Sequence, residues 1–408
     1  MTTTLFTDAT LACPGAGVRT GSLLVGDDRI VAIDPSDPPA DARRVACGGH
    51  VLAPAIVDLG VFAVDKAACL AGGIVRVGLM PDQSPILDDP GIVQRAAASG
   101  KPELWVHPIA AATRGLAGKD LGEMAIAAAA GAGAVATGRR WIADSGVMRR
   151  VLGYAADCGL SVIAHAEDDG LVAGAVATEG ETATRAGLRA APAIAEALAI
   201  ARDLMLAEET RAAIHFRQVT TATGFDLIRA AKRRGVRATC GISPAHLLLS
   251  DIAMTDFRTF AHLSPPLRSE GDRQAALAAL ADGTIDVLTS AHDPRGPEEK
   301  RLPFADAAPG MSGAETLLAL TLGMVRDGRL TIDRLFALLA ANPARILGID
   351  TGTLRPGRPA DLILVDADAP WMIVGDRMAA SAGNTPFDGL PVQGRVRMVM
   401  KGGVTLRA

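Results

Sequence analysis

The sequence predicts an α/β fold, a (β/α)8 TIM-type barrel with a small composite β-sandwich domain drawn from both ends of the chain. Two patterns lead there. Eight short apolar runs, each with the character of a buried parallel strand, alternate with Ala- and Leu-rich helical stretches through the middle of the chain. Strand-and-turn patterns without helices occupy the first 50 residues and return after residue 348. With 408 residues, 49% of them hydrophobic, the chain suits a large barrel plus a minor domain rather than one small core.

Taken in order, Ala9–Ala12 and Ser22–Val25 are apolar runs, Gly26-Asp27-Asp28 is a hairpin signal, and Ile30–Ile33 follows it. The stretch Val51–Phe62 (VLAPAIVDLGVF) begins the alternation. Its buried strand is Ala55–Leu59, and period-two alternation points Gly60 and Phe62 the same way at the C-terminal end. Further strands are expected at Ile74–Leu79, Leu104–His107, Ala134–Thr137, Ser161–His165, Ala213–Val219, Arg237–Gly241 and Asp286–Thr289. Helices such as Val147–Ala156, Ile194–Ala207 and Phe225–Arg233 lie between them. In such a barrel the functional residues sit at the C-terminal strand ends. An open doubly wound sheet is disfavoured by the lack of a Gly-rich phosphate turn after the first strand. After helical stretches at Ala314–Val325 and Ile332–Ala341, Asn342–Gly348 closes the barrel, and strands return at Ala360–Val365 and Arg397–Met400. The expected domains are residues 1–50 together with 349–408, and residues 51–348.

A net charge of -4, spread without long runs, argues against nucleic-acid or membrane-surface partners. The alanine-rich segment Met124–Gly138 is too short and Gly-broken to span a bilayer. Five scattered cysteines, never in CxxC spacing, and a start without a secretory pattern lead to the expectation of a cytoplasmic protein with free thiols.

Several segments, in order, are close echoes of one family: Met80-Pro81, Pro85–Pro90, Ala164–Asp168, Ala201-Arg202-Asp203, Pro265–Arg268, Asp282–Val287 and Asn384–Gly389. With Val51–Phe62 they make the chain resemble the dihydroorotases of the amidohydrolase superfamily over nearly its full length. The resemblance implies a metal centre at the barrel mouth that activates water against a cyclic amide, with ligands on several strand ends. At the matching positions this chain departs from that pattern. The His-x-His pair of the first strand falls on Gly60 and Phe62, and the fourth-strand acid falls near Arg139. Gln218 takes the place of the sixth-strand histidine and Ala291 that of the eighth-strand aspartate. His165 alone survives. The loop of eight residues after Phe62, Ala63–Leu70, holds no arginine for a substrate carboxylate. The usual asparagines are replaced by Asp82 and Ser264.

The expectation is therefore of no metal and no catalytic residues, with Asp82, His165, Ser264, His292 and Asp293 as remnants of a substrate-like pocket. The resemblance extends to non-catalytic dihydroorotase-like subunits that assemble with aspartate carbamoyltransferase, which implies that partner, a role in pyrimidine biosynthesis and a homo-oligomer. A second reading is an active cyclic-amide hydrolase with a mononuclear zinc site rebuilt from His165, His292 and Asp293, with His246 nearby. A third is an anion pocket made by Arg139, Arg140 and Arg217. A fourth has Arg139 and Phe62 plugging the former site. His50, His107, His215 and His262 are expected to be core or surface residues.

Overall fold

The computed structural model describes residues 3–407, and the eight expected runs form one parallel sheet. Its strands are Ile56–Val61, Ile74–Leu79, Trp105–Ala111, Ala134–Ala136, Ser161–Ala164, Ala213–Phe216, Ala238–Ile242 and Val287–Leu288. Each pairs in parallel with its successor. Parallel neighbours need long crossovers, and these are the intervening helices, among them Ser145–Asp157, Ile194–Thr210, Ala222–Arg233 and Glu270–Ala281. Outward residues such as Ile56, Val75 and Val77 pack with Val151, Ile200, Phe225 and Leu277 of that helical layer. Inward residues Val57, Leu59, Ile109, Ile163 and Val287 fill the barrel together with Ala344, Ile346 and Leu347. The last three follow from the expected closure at Asn342–Gly348. They seal the N-terminal end, where Ile346 lies beside the strand starts at Ser161, Ala213 and Ala238.

The first and eighth strands share no ladder, and side chains close the sheet between them. Asp58, fully buried, accepts from the Ser290 N–H at 3.0 Å, the Thr289 hydroxyl at 2.9 Å and the Ser290 hydroxyl. The Phe62 N–H donates to the His292 carbonyl at 2.9 Å, which fastens the two strand ends to each other. Burial pushes the Asp58 carboxyl up, and the donors of Ser290 and Thr289 oppose that.

Val51–Phe62 is two strands rather than one. Val51–Pro54 belongs to the terminal sheet, antiparallel to Leu362–Val365 and parallel to Thr10–Leu11. The terminal sheet thus runs four residues past the boundary expected at residue 50. Ala55 hands the chain over to the barrel. This eight-stranded sheet comprises Thr3–Cys13, Gly17–Gly26, Arg29–Ile33, Arg43–Ala46, Val51–Pro54, Leu362–Met372, Pro391–Lys401 and Val404–Arg407. It gathers both ends of the chain around Phe6, Leu11, Leu23, Ile30, Leu52, Leu362 and Met400. The buried Asp361 ties it to the barrel through Arg76 at 2.7 Å. No helix among the described residues is long and apolar enough to cross a membrane.

Simple alternation also fails at Gly60. The register against the second strand shifts between Leu59 and Val61, and Gly60 has φ +91°, a left-handed conformation that side chains rarely adopt. This bulge reverses the phase. Val61 turns outward to the helical layer, and Phe62 joins Val57 and Leu59 inside the barrel.

Removing the Asp58 carboxylate leaves the buried N–H and hydroxyl of Ser290 without their acceptor, while the Thr289 hydroxyl keeps the Leu59 carbonyl at 2.8 Å. Asp58→Ala is expected to cost about 3 kcal/mol or more of unfolding free energy. Denaturant titration checks this, and a loss below about 1 kcal/mol would show that the seam is held by other contacts.

Candidate functional site

The mouth of the barrel is assembled from strand ends, as the fold requires. Phe62 follows the first strand, Arg139 the fourth, His165 the fifth, Arg217 the sixth and Asp293 the eighth. The Phe62 ring is buried at their centre. The Arg139 guanidinium carbon lies 3.6 Å from the ring centroid, and that of Arg217 lies 5.0 Å from it. An aromatic face attracts cations, most strongly where water is excluded. Arg139 also donates to Asp293 Oδ2 at 2.8 Å, and Arg295 donates to the same oxygen at 3.0 Å. A ring with a guanidinium against it thus stands at the centre of the mouth, the arrangement that the plug reading describes.

Arg217 is only 4% exposed. Its Nη2 meets His165 Nδ1 at 3.2 Å, and its Nε has no partner. Since a guanidinium can only donate, His165 Nδ1 is the acceptor and the ring proton sits on Nε2, 3.4 Å from Glu167 Oε2. Burial pushes Arg217 down to about 10, and the charge of Arg139 adds to that.

Behind His165 lies a buried ionic network that the sequence reading did not single out. Arg268, 3% exposed, pairs with Glu167 at 2.7 Å and Glu196 at 3.5 Å, and donates to the Thr220 hydroxyl at 2.9 Å. Glu196 in turn accepts the N–H groups of Thr220 and Thr221 at 2.9 Å each. Burial raises the Glu167 carboxyl, but the His165 hydrogen bond and the Arg268 charge outweigh it and hold the group at about 2. The signal in the sequence was Glu196, a charge inside the apolar helical run Ile194–Ile200.

The other expected residues are placed as follows. Gln218 accepts the Ser243 N–H at 2.9 Å. Ser264, Ala291 and His246 border a small cavity at the mouth with Phe62, Arg217 and Asp293. His246 receives the Ser243 hydroxyl on Nδ1 at 3.0 Å and faces the Pro265 carbonyl through Nε2 at 3.1 Å. One expectation is corrected. His292 does not face the mouth. It is fully buried, accepts the Ala314 N–H on Nδ1 at 3.3 Å and turns Nε2 toward Asp65 at 3.7 Å, because the seam directs the chain outward there. Asp82 accepts the Arg139 N–H at 3.0 Å with one carboxylate oxygen, while the other is buried without a partner and its charge acts on Arg217. His262 is buried against Phe304, in keeping with the expectation, and lines a second cavity of ≈ 340 Å³ with His165, Arg140 and Ser264.

The metal implied by the resemblance does not fit these residues. Gly60 and Phe62 carry no ligand atom, both His165 ring nitrogens face partners, and His292 and Asp293 point to different surroundings. Among the described residues no three His, Cys, Asp or Glu side chains are grouped so as to hold a metal ion. Two guanidiniums stand against Phe62 instead.

The chain belongs to the amidohydrolase family, which it matches over residues 60–406. Among its relatives, a protein named dihydroorotase from Syntrophotalea carbinolica is 35% identical over 99% of both chains. Another from Pelotomaculum thermopropionicum is 37% identical over 98% of this chain and 97% of its own. Of solved structures, L-hydantoinase (dihydropyrimidinase) from Arthrobacter aurescens superposes with a TM-score of 0.89 at 24% identity, covering 100% of this chain and 96% of its own. Dihydropyrimidinase from Brevibacillus agri gives 0.85 at 20% identity, covering 99% and 95%. These two share the fold.

Restoring the first-strand pair is not expected to restore a metal site. A side chain at position 60 meets Arg217 Cγ and Cδ 3.5 Å from its Cβ and takes on the left-handed backbone. The double variant Gly60→His with Phe62→His is expected to purify with substoichiometric zinc, and one zinc per chain by elemental analysis would overturn the misfit. The histidines also set an acid limit. Burial holds His215 at about 3 and His246 at about 4, against an ordinary 6.5. Folded values below unfolded ones mean that stability is complete above pH 6.5 and falls as pH drops toward 4. Denaturant midpoints are expected to decline over that range, and His246→Gln to reduce the slope.

Proposed function

We propose that this chain is a dihydroorotase homologue without metal-dependent hydrolase activity, acting as a structural partner of aspartate carbamoyltransferase in pyrimidine biosynthesis. The observation that carries the first half is the Arg139–Phe62–Arg217 stack in the barrel mouth. Hydrolysis of a cyclic amide at neutral pH needs a strongly activated water and a proton shuttle. Of the candidate bases there, His165 has both nitrogens facing partners, and Asp293 is held by two guanidiniums. The intact barrel and terminal sheet keep a large, folded surface available for assembly, including assembly with a second copy. The partner comes from the resemblance to non-catalytic dihydroorotase-like subunits.

A second reading is favoured by the relatives, which are named dihydroorotase at 35% to 37% identity over nearly the whole chain. It makes the chain an active cyclic-amide hydrolase.

The two separate in one preparation. The purified protein, assayed with dihydroorotate and carbamoyl-aspartate in the presence of added zinc, is expected to turn over neither. Co-expressed with untagged aspartate carbamoyltransferase of the same organism, it is expected to elute as a complex whose mass equals an integral combination of the two chains. Chelator-sensitive turnover would overturn the inactive reading, and separate elution would overturn the partnership.

A further inference from the structure

We infer that the cleft at the N-terminal end of the barrel, on the side away from the mouth, binds a small organic phosphate through Arg237 and Arg345. The sequence concentrates charge nearby, since Arg229–Arg237 holds five basic residues and no acid. The turn into the seventh strand brings part of this stretch beside the closing helix Asn342–Ile346, around a cavity of ≈ 420 Å³. Small-molecule sites have that size. The charged groups of its wall are Lys232, Arg237, Arg345 and Asp286. Asp286 is engaged, accepting from Lys232 Nζ at 2.6 Å and from the Cys240 N–H at 2.8 Å. Lys232 donates further to the Thr284 carbonyl at 2.7 Å. Two exposed guanidiniums remain. Among the described residues neither Arg237 nor Arg345 lies within 4.0 Å of a carboxylate oxygen. Arg345 Nη2 donates to Asn342 Oδ1 at 3.4 Å. The nearby acids Glu208 and Asp282 are paired with Arg234 at 2.9 Å and Arg229 at 2.7 Å. In the segments that lead into the fifth to seventh strands, Arg211 and Arg233 are also without an ion pair, against one such acid, Asp157.

Exposed guanidiniums are solvated and need no counter-ion, but two that line one cavity form a site that a dianion fits. The cavity also offers a floor and a further donor. Ile214, Val236, Ala238 and Ile346 are buried apolar residues in its wall. The Ser161 hydroxyl is there too, with no hydrogen-bond partner among the described residues. A phosphate monoester carries close to two charges at neutral pH and three terminal oxygens on one group. It can take both guanidinium forks and the Ser161 hydroxyl at once, while its organic body covers the apolar floor. A carboxylate brings half the charge and only two oxygens. Reacting residues of such a barrel sit at the other end of the strands, so a ligand here is an effector and not a substrate. It would bridge the turn before the seventh strand to the closing helix, whose Ala344 and Ile346 help to fill the barrel. The mouth plays no part in this site.

Titration calorimetry of the intact protein with phenyl phosphate and with inorganic phosphate tests this, at constant ionic strength and above the second phosphate pKa of about 6. Saturable binding at one site per chain is expected, with the ester the tighter of the two because its ring meets the apolar floor. Arg237→Gln and Arg345→Gln are each expected to weaken it about tenfold or more, and Arg233→Gln, outside the wall, to change it less than about twofold. Succinate, a dianion with its charges on separate groups, is expected to bind at least about tenfold more weakly than the ester. Should a variant fail to fold, a wild-type crystal soaked in phenyl phosphate is expected to show the phosphoryl group against Arg237 and Arg345. The site is overturned by a wild type that binds neither phosphate saturably, by affinity unchanged in both wall variants, or by a soaked cleft without the ester. An equal loss in Arg233→Gln would reduce it to a general basic surface, and succinate binding as tightly as the ester would overturn the phosphoryl preference.

Discussion

The contact on which the mouth depends is the Asp58 seam. The eighth strand is only Val287–Leu288, too short to zip against the first by backbone alone. One buried carboxylate accepting from Ser290 and Thr289 does that work, and the Phe62 N–H bond to the His292 carbonyl completes it. The same closure sets Phe62 across from Asp293. Arg139, leaving the fourth strand, can then lie against the ring and reach the carboxylate in one span. Packing and charge in the mouth follow from how the barrel is shut.

Two charge systems meet at His165. On one side Arg268 is fully compensated by Glu167 and Glu196, with threonine hydroxyls and backbone N–H groups satisfying the remaining acceptors. Such complete satisfaction is what a buried ionic cluster needs to avoid a large desolvation penalty. On the other side Arg217 touches only an imidazole and an aromatic face, with Asp82, Asp293 and Glu167 acting on its charge at longer range. The contrast within one mouth is informative. The first system ties the strand ends together, and the second leaves a buried guanidinium whose Nε has no partner.

Much of the fold was legible in the residues. All eight apolar runs became barrel strands because strands buried on both faces must be continuously apolar, and that pattern needs no tertiary information. The site was legible only as chemistry. Gly60 and Phe62 cannot ligate a metal wherever they point, so their identities alone argued against the metal pair. Position was harder. Asp293 and His292 are adjacent in sequence, yet one faces the mouth and the other Asp65 and Ala314 behind it. Glu167 and Arg268 lie in segments that carry the family resemblance, but their pairing was not legible because 101 residues separate the two partners.

By itself, the sequence determined the barrel and its companion sheet, the replacement of the His-x-His pair, and the survival of a single histidine among the expected ligands. These depend on residue type and local period. Only the tertiary structure decided that Val51–Phe62 divides between two sheets, that Phe62 faces inward, and that Arg217 is buried without a carboxylate. The reason is physical. A one-residue bulge at Gly60 reverses the facing of every side chain after it, and no local pattern announces a bulge that is specified by pairing with a neighbouring strand. Likewise, whether an arginine is solvated or buried depends on the chain segments that enclose it, and those meet at the mouth only when the barrel closes.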